Sequence, residues 1–346
     1  MNTFQRKMRF SEKTKLTFES NEKVKEKIIM LDSNIKNNKN ISLKTPNMRT
    51  YKSQLHKNNS RYAYATMIIF DEKYMPSILN LGMTLRLYKS EHKLICLVQD
   101  KTYINKFNGN KLMGISQDCI YDLLKIFDEV IGIDLMNVNN YEIPNDHFTN
   151  GITYTNIYYY CTKLVLLGLT QYEKIMYLDG STIIQKNIDY IFYKYKKSAF
   201  VDDNEWRRGN VGLKGTYFFI VPNLYEYNKG LIFLEDYQKY FGKNYFIRGV
   251  DEIIIYYAVF PNWSEELLDT GLGCNGNLTN NLYQNCEIYY YQTHKPFFRP
   301  ADDNVSKDII NKRYFLWDTN AKNLLEKYPE FFKYFEHITE FRDFQI

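Results

Sequence analysis

Apolar residues fall along this chain in short runs separated by polar breaks, and the runs alternate between two periods. Tyr62 to Phe70 reads Tyr-Ala-Tyr-Ala-Thr-Met-Ile-Ile-Phe, the composition of a buried strand. Asp71 to Tyr74 makes a loop, and Pro76 suits the first turn of a helix. Ile78, Leu81, Leu85, Leu87 and Tyr88 then continue at helical spacing. His92 to Val98 predicts a second strand, Lys111 to Phe127 a second helix, and Asp128 to Ile133 a third strand. This β-α-β-α-β order predicts an α/β fold with a mostly parallel sheet flanked by helices. A polar, irregular stretch at 137–155 follows. After it come a helix at Asn156 to Thr170, a strand at Lys174 to Leu178, and a strand at Tyr217 to Val221 ended by Pro222. Helices at Leu224 to Phe241 and Asp251 to Phe260 precede a late strand at Glu287 to Tyr291, and Ser306 to Ile346 reads as a helical tail.

The first 60 residues differ in kind. Ser20 to Leu31 predicts a short helix capped by Ser20. Asp32 to Ser60 is rich in Asn, Lys and Ser and reads as linker, so structure is expected to begin at Arg61. Three segments result: a basic, partly disordered extension over 1–60, an α/β domain over 61–300, and a helical segment over 301–346. Charge follows the same division. Residues 1–60 hold 14 Lys+Arg and 5 Asp+Glu, a net of +9 in a chain of +5, which leaves −4 for 61–346. The extension reads as solvated, and no nucleic-acid partner is expected.

At 346 residues and 45% hydrophobic the chain is long enough to bury a full core. No apolar run approaches the roughly 18 residues of a membrane span. Met1 to Lys7 lacks the apolar core of a signal peptide, so a cytoplasmic location is expected, or the virion for a viral chain. The five cysteines (Cys96, Cys119, Cys161, Cys274, Cys286) are odd in number and widely spaced, with no Cys-x-x-Cys. Buried free thiols are expected rather than disulfides or zinc. Tyrosine is frequent, at 32 residues, alongside Asn, Lys and Ile, a bias that AT-rich genomes of protists and large DNA viruses supply. Gly271 to Gly276 fits Gly-x-Gly-x-x-Gly, but Glu265-Glu266 precedes it and an Asn-rich loop follows. A dinucleotide fingerprint needs a strand before and a helix after. There is no Walker loop and no nucleophile elbow.

The richest stretch is Lys163 to Asp189. An amphipathic helix and a buried strand lead to Asp179 at the strand's carboxyl end, where ligands bind in open α/β sheets. This stretch resembles the centre of glycosyltransferase family 8, the glycogenin-like nucleotide-sugar transferases, and the resemblance continues as islands from Tyr62 to Phe298. It implies a GT-A-like, Rossmann-like fold. In that family a tyrosine placed like Tyr74 stacks on the uracil, and residues placed like Ile68, Phe70 and Asp71 line the base pocket. Lys163 matches a lysine that contacts the sugar donor. Asp202 or Asp203 stands where the family keeps a sugar-binding aspartate, upstream of Lys214-Gly215-Thr216 in place of Asn-Ser-Gly. Gly249-Val250-Asp251-Glu252 resembles Gly-Asp-Gln, which implies that Asp251 lies beside the anomeric carbon. An aspartate opening an apolar helix also reads as its N-cap. Lys295-Pro296-Phe297 resembles the family's Lys-Pro-Trp, which makes Lys295 a candidate for the donor site.

The resemblance also implies a divalent metal, manganese, held on the sugar-diphosphate by Asp-x-Asp and a histidine. This chain has Asp179-Gly180-Ser181, which keeps one carboxylate and puts Ser181 in place of the second. Tyr289 occupies the place of the histidine and Gln292 that of a glycine, with His294 beside the matching lysine. Hard cations take carboxylate oxygens, so an ion resting on Asp179 and Ser181 is expected to be weakly held. Three arrangements stay open. Lys163 and Lys295 neutralise the diphosphate without metal; Asp202, Asp203 or His294 build a different site; or the chain binds nucleotide without turnover. The implied activity is retaining transfer of a hexose from a UDP-sugar to a hydroxyl acceptor, on a glycan or a protein. The alternative is a degenerate nucleotide- or glycan-binding or scaffold protein. The resemblance also implies a homodimer.

Overall fold

The computed structural model describes residues 42–68, 72–99, 106–107, 110–111, 115–133, 162–200, 215–241, 258–259, 268–269, 272–275, 286–291, 296–297 and 307–339, with a few positions between 26 and 37. In chain order the strands are β1 (Met48–Lys52), β2 (Tyr62–Ile68), β3 (Lys93–Gln99), the short pair β4 (Lys106–Phe107) and β5 (Asn110–Lys111), β6 (Glu129–Ile133), β7 (Lys174–Leu178), β8 (Thr182–Ile184), β9 (Tyr217–Ile220), β10 (Gly273–Asn275) and β11 (Ile288–Tyr290). The helices are α1 (Met75–Leu87), α2 (Gln117–Leu123), α3 (Val165–Gly168), α4 (Ile191–Lys194), α5 (Leu224–Phe241), α6 (Lys307–Lys327) and α7 (Phe332–Thr339).

The main sheet runs β1-β6-β3-β2-β7-β9. Its four inner strands are parallel to one another, and β1 and β9 close the two edges antiparallel. The α/β class and the mostly parallel sheet are therefore as the sequence predicts. Counted in chain order, β2, β3, β6 and β7 stand as 3-2-1-4. In that doubly wound order the winding reverses between strands 1 and 4, here β2 and β7. The carboxyl ends of these two strands, Ile68 and Leu178, therefore flank the sheet's topological switch point. The inner strands are apolar on both faces because helices cover both sides. A second sheet, β10-β11-β8, continues from β7 through the turn at 179–181.

The helix α1 is central to this arrangement. It has no solvent face over most of its length, and it buries Ser77, Asn80 and Thr84 along with its apolar residues. Each of these polar groups meets a backbone partner, as buried groups must. The Ser77 hydroxyl donates to the Gly180 carbonyl, and the Asn80 amide donates to the Trp317 carbonyl at 3.0 Å. The Thr84 hydroxyl accepts from the Ile184 N–H at 3.3 Å. The first and third bonds fix the β7–β8 connection to α1, and the second fixes α6.

Two parts depart from the sequence reading. The stretch read as linker contains β1, which pairs with β6 from Met48↔Ile133 to Lys52↔Glu129. No apolar run marks it, because every position of this edge strand is exposed or half-exposed. The same segment is pinned elsewhere. The Asn228 side chain accepts the Lys44 N–H at 2.8 Å and donates to the Lys44 carbonyl at 2.9 Å. The Tyr225 hydroxyl lies 2.8 Å from the Asp32 carbonyl, and Lys229 donates to Asp32 Oδ1 at 3.4 Å. Pro46 lies against Gly168, where a β-carbon would come within 2.3 Å of its ring.

The second departure is the helix expected over 111–127. It spans Gln117–Leu123; Ser116 sets its start by accepting from the Cys119 N–H. The expected helical tail is present as α6 and α7, and it packs into the main core through Tyr314, Trp317, Leu324 and Phe335. The irregular stretch at 137–155, the first part of the helix expected over Asn156 to Thr170 (156–161) and most of the helix expected over Asp251 to Phe260 (251–257) lie outside the described residues; of the former helix the described part is α3, Val165–Gly168.

Candidate functional site at the switch point

Asp179 follows directly on β7, as predicted. Its N–H donates to the Thr216 carbonyl at 2.7 Å, which ties it to the residue before β9. Its Oδ1 accepts from the Ser181 N–H at 2.9 Å and from the Ser181 hydroxyl at 2.7 Å. Its carbonyl accepts from the Thr182 N–H at 2.9 Å and from the Thr182 hydroxyl at 2.6 Å. The Asp179-Gly180-Ser181 sequence thus forms a closed turn of the kind that aspartate side chains favour. Gly180 sits where a β-carbon would meet Ile78 Cδ1 at 2.6 Å, and Ser77 holds its carbonyl. On the other side the Tyr291 N–H donates to the Ser181 carbonyl at 3.0 Å, which joins the turn to β11.

Lys163 arrives at the same place from α3's side of the sheet. It is 2% exposed, and its ammonium donates to the Gly215 carbonyl at 3.1 Å. The ammonium also lies 5.1 Å from the centre of the Tyr177 ring, a cation–π distance. Lys163 and Asp179 therefore hold adjacent carbonyls, those of Gly215 and Thr216. This couples the helix, the β7 terminus and the β9 entrance into one unit at the switch point. A buried ammonium held against a carbonyl and an aromatic face is a preorganised positive charge.

The base-pocket candidates are placed in part. Ile68 is buried at the carboxyl end of β2, paired with Val98. Tyr74 precedes α1, half-buried, and its ring packs against Phe297 with centroids 5.6 Å apart. Phe297 is fully buried, and its carbonyl accepts a hydrogen bond from His337 Nε2 at 3.0 Å. The first and last islands of the sequence pattern, some 220 residues apart, thus meet at one ring contact. Phe70, Asp71, Asp202, Asp203, Asp251, His294 and Lys295 lie outside the described residues.

The described donors suit a divalent cation poorly. Asp179 offers a carboxylate with one oxygen already accepting twice, Ser181 donates its hydroxyl proton to that oxygen, and Tyr289 is a phenol paired opposite Ile183. Among the described residues no group of three or more His, Cys, Asp or Glu converges. Hard divalent ions take six or more oxygen ligands, several of them carboxylate or carbonyl.

Sequence reasoning missed three supports of the site: Tyr177 under Lys163, Thr216 at Asp179, and Ser77 at Gly180. Ser77 carried a usable signal. With Asn80 and Thr84 it makes a polar stripe at i, i+3 and i+7 on an otherwise apolar helix.

No family model matches the chain. Over 133 residues it is 31% identical to the uncharacterized protein R707 of Acanthamoeba polyphaga mimivirus, covering 38% of this chain and 40% of the relative. Over 143 residues it is 27% identical to a protein assigned as UDP-glucuronate:xylan alpha-glucuronosyltransferase 4 of Arabidopsis thaliana, covering 41% of this chain and 22% of that one. The matches thus span less than half the length of either relative. Among solved structures, the galactosyltransferase LgtC with donor and acceptor sugar analogues is similar at a TM-score of 0.49 and 12% identity, over 79% of this chain and 99% of that one. Among the described residues no helix is long and apolar enough to cross a membrane.

Proposed function

We propose that this chain is a GT-A-like glycosyltransferase that moves a hexose from a UDP-sugar to a hydroxyl acceptor on a glycan or protein, with retention at the anomeric carbon. The observation that carries the reading is the convergence of Lys163, Asp179, Gly215 and Thr216 at the carboxyl end of β7, beside the 3-2-1-4 switch point. Doubly wound sheets bind nucleotides there. The partial likeness to a plant protein assigned as an alpha-glucuronosyltransferase points to the same class of chemistry.

In this reading the uridine lies over the end of β2, with its base against Tyr74 and the pocket of Ile68, Phe70 and Asp71. Asp202 or Asp203 takes hydroxyls of the sugar. Cleavage of the sugar–phosphate bond leaves negative charge on UDP. Positioned cations stabilise such charge as it develops, and Lys163 and Lys295 are assigned that role. Asp251 lies beside the reacting carbon; the acceptor oxygen forms the new bond to it as the sugar–phosphate bond breaks, and the hydroxyl proton passes to the departing UDP. No step is assigned to manganese, because the described donors suit it poorly.

A second reading rests on the closed Asp179 turn. A carboxylate engaged by Ser181 serves structure, and a chain with only that role would bind nucleotide or glycan without turnover. One assay separates the two: incubation with a panel of UDP-sugars, with and without manganese, followed by UDP release and thermal shift. Donor-dependent UDP release supports transfer. A thermal shift with UDP and no release supports the binding protein. Silence in both readouts with every donor overturns transfer and nucleotide binding alike.

A further inference from the structure

The first turn of α1 meets the candidate site twice. Tyr74 stands at its N-cap position, with its ring against Phe297 at 5.6 Å. Three residues on, the Ser77 hydroxyl donates to the Gly180 carbonyl. Ile78 closes the same contact, since a β-carbon on Gly180 would come within 2.6 Å of its Cδ1. Residues three and four apart are neighbours on one face of a helix, and Tyr74, Ser77 and Ile78 have that spacing. The candidate base-stacking ring and the clamp on the Asp179–Ser181 turn are thus one helical turn apart, about 5.4 Å along the axis.

The described residues anchor the turn from three sides. The Asp179 N–H donates to the Thr216 carbonyl, and the Tyr291 N–H donates to the Ser181 carbonyl. Both are backbone bonds, which form whatever side chains stand there. The third anchor is the Ser77 hydroxyl, a side chain 1% exposed, and it leads to α1. Farther along the helix, Asn80 reaches the Trp317 carbonyl and Thr84 accepts the Ile184 N–H at 3.3 Å. Those two bonds tie α1 to α6 and β8 and leave the turn to Ser77 and Ile78.

We propose that Ser77 is a positioning residue: it carries the seating of a nucleotide base on Tyr74 to the Asp179–Ser181 turn. The inference rests on the nucleotide-binding part of the reading above and gives a role to a residue which that reading leaves without one. The route is short. A base pressed against Tyr74 removes motion from the start of α1. Ser77 and Ile78 lie one turn on in the same rigid element, and Gly180 is bonded to the first and packed on the second. Ordering one end therefore orders the other, and the coupling is read as protection of amides at the far end. The reporting amides are those of Ser181, bonded to Asp179 Oδ1 at 2.9 Å, and Thr182, bonded to the Asp179 carbonyl at 2.9 Å. For transfer, the consequence is that base recognition sets the place of Asp179 at the diphosphate end of the donor.

The test is amide hydrogen exchange of the full chain, read by mass spectrometry, with and without saturating uridine. Uridine carries the base without the diphosphate, so a response at the turn travels through α1 and not through direct contact. In wild type, uridine is expected to slow exchange both in the peptide carrying Tyr74 and in the peptide carrying Ser181 and Thr182. Ser77→Ala removes the hydroxyl and puts a strong helix former in its place. It is expected to keep the first slowing and lose the second. Thr84→Val removes a hydroxyl two turns farther along the same helix and is expected to keep both. Slowing at Tyr74 without slowing at Ser181 and Thr182 in wild type overturns the proposal, as does equal slowing at the turn in wild type and Ser77→Ala. Loss of the turn's response in Thr84→Val as well shows a general loosening of α1 and also overturns it. A response to UDP with none to uridine at Tyr74 overturns the proposal while leaving nucleotide binding in place. No slowing in any peptide with either uridine or UDP overturns nucleotide binding itself, and this proposal with it.

Discussion

The carboxylate of Asp179 accepts both the N–H and the hydroxyl of Ser181 through one oxygen, so this side chain closes the turn that follows β7. The substitutions at this turn divide accordingly. Asp179→Asn keeps an acceptor at that place and is expected to fold, with any metal-dependent turnover lost. Asp179→Ala removes the acceptor of two donors and is expected to cost about 1–3 kcal/mol, the usual penalty for a stranded polar group, read as a drop in denaturation midpoint. A wild-type-like midpoint for Asp179→Ala contradicts the closed turn. Lys163→Met keeps most of the buried stem but removes the charge held against Gly215 and Tyr177. It is expected to abolish donor-dependent UDP release while the chain stays folded by circular dichroism. Unchanged release places the diphosphate elsewhere.

At the scale of elements, the clearest clasp is that of the N-terminal segment on α5. Asn228 holds both backbone groups of Lys44, and Pro46 rests on Gly168. Asn228→Ala is expected to destabilise the fold by about 1–3 kcal/mol, and proteolysis of 32–47 is expected to quicken. Equal cleavage rates in the two proteins contradict the clasp. A second clasp joins α2 to the C-terminal helices through Asp122, which takes Lys333, Tyr334 and Lys125. Burial pushes the Asp122 carboxyl up, but hydrogen bonds from Lys333, Tyr334 and Lys125 outweigh it and leave it below the usual carboxylate range. A folded value below the unfolded one gives stability that is present above the unfolded value, about 3.9, and lost as pH falls through the folded one. Acid melting curves of Asp122→Asn are therefore expected to flatten below about pH 4 relative to wild type. A parallel pair of curves contradicts this.

The same scale shows what was legible beforehand. The inner strands and α1 carry long apolar runs, and they stand where those runs place them. β1 was missed because an edge strand with no buried position leaves no apolar period. The start of α2 was misplaced because its cap, Ser116, sits inside a stretch whose composition alone reads as helix. For the site, β7 and Asp179 were legible from one strand and its following acid, whereas the turn's closure depends on Ser77, Thr216 and Tyr291, which come from distant segments.

For the whole molecule, the order of the sheet decides where a ligand can lie. Strand order 3-2-1-4 places the opening at the carboxyl ends of β2 and β7. The opposite end of the sheet is closed by a packed aromatic cluster, with Tyr62 stacked on Phe192 at 5.5 Å and His92 edge-on to it at 4.5 Å. α6 and α7 cover the α1 side. The central claim is thus a claim about location, and photoaffinity labelling tests it most directly. Irradiation of the chain with an azido-uridine analogue of UDP, followed by peptide mapping, is predicted to label the region from Ile68 to Tyr74 at the end of β2. Excess UDP is expected to suppress that labelling. UDP-suppressible labelling at Tyr62, His92 or Tyr193 instead, or no UDP-suppressible labelling at all, would contradict the account.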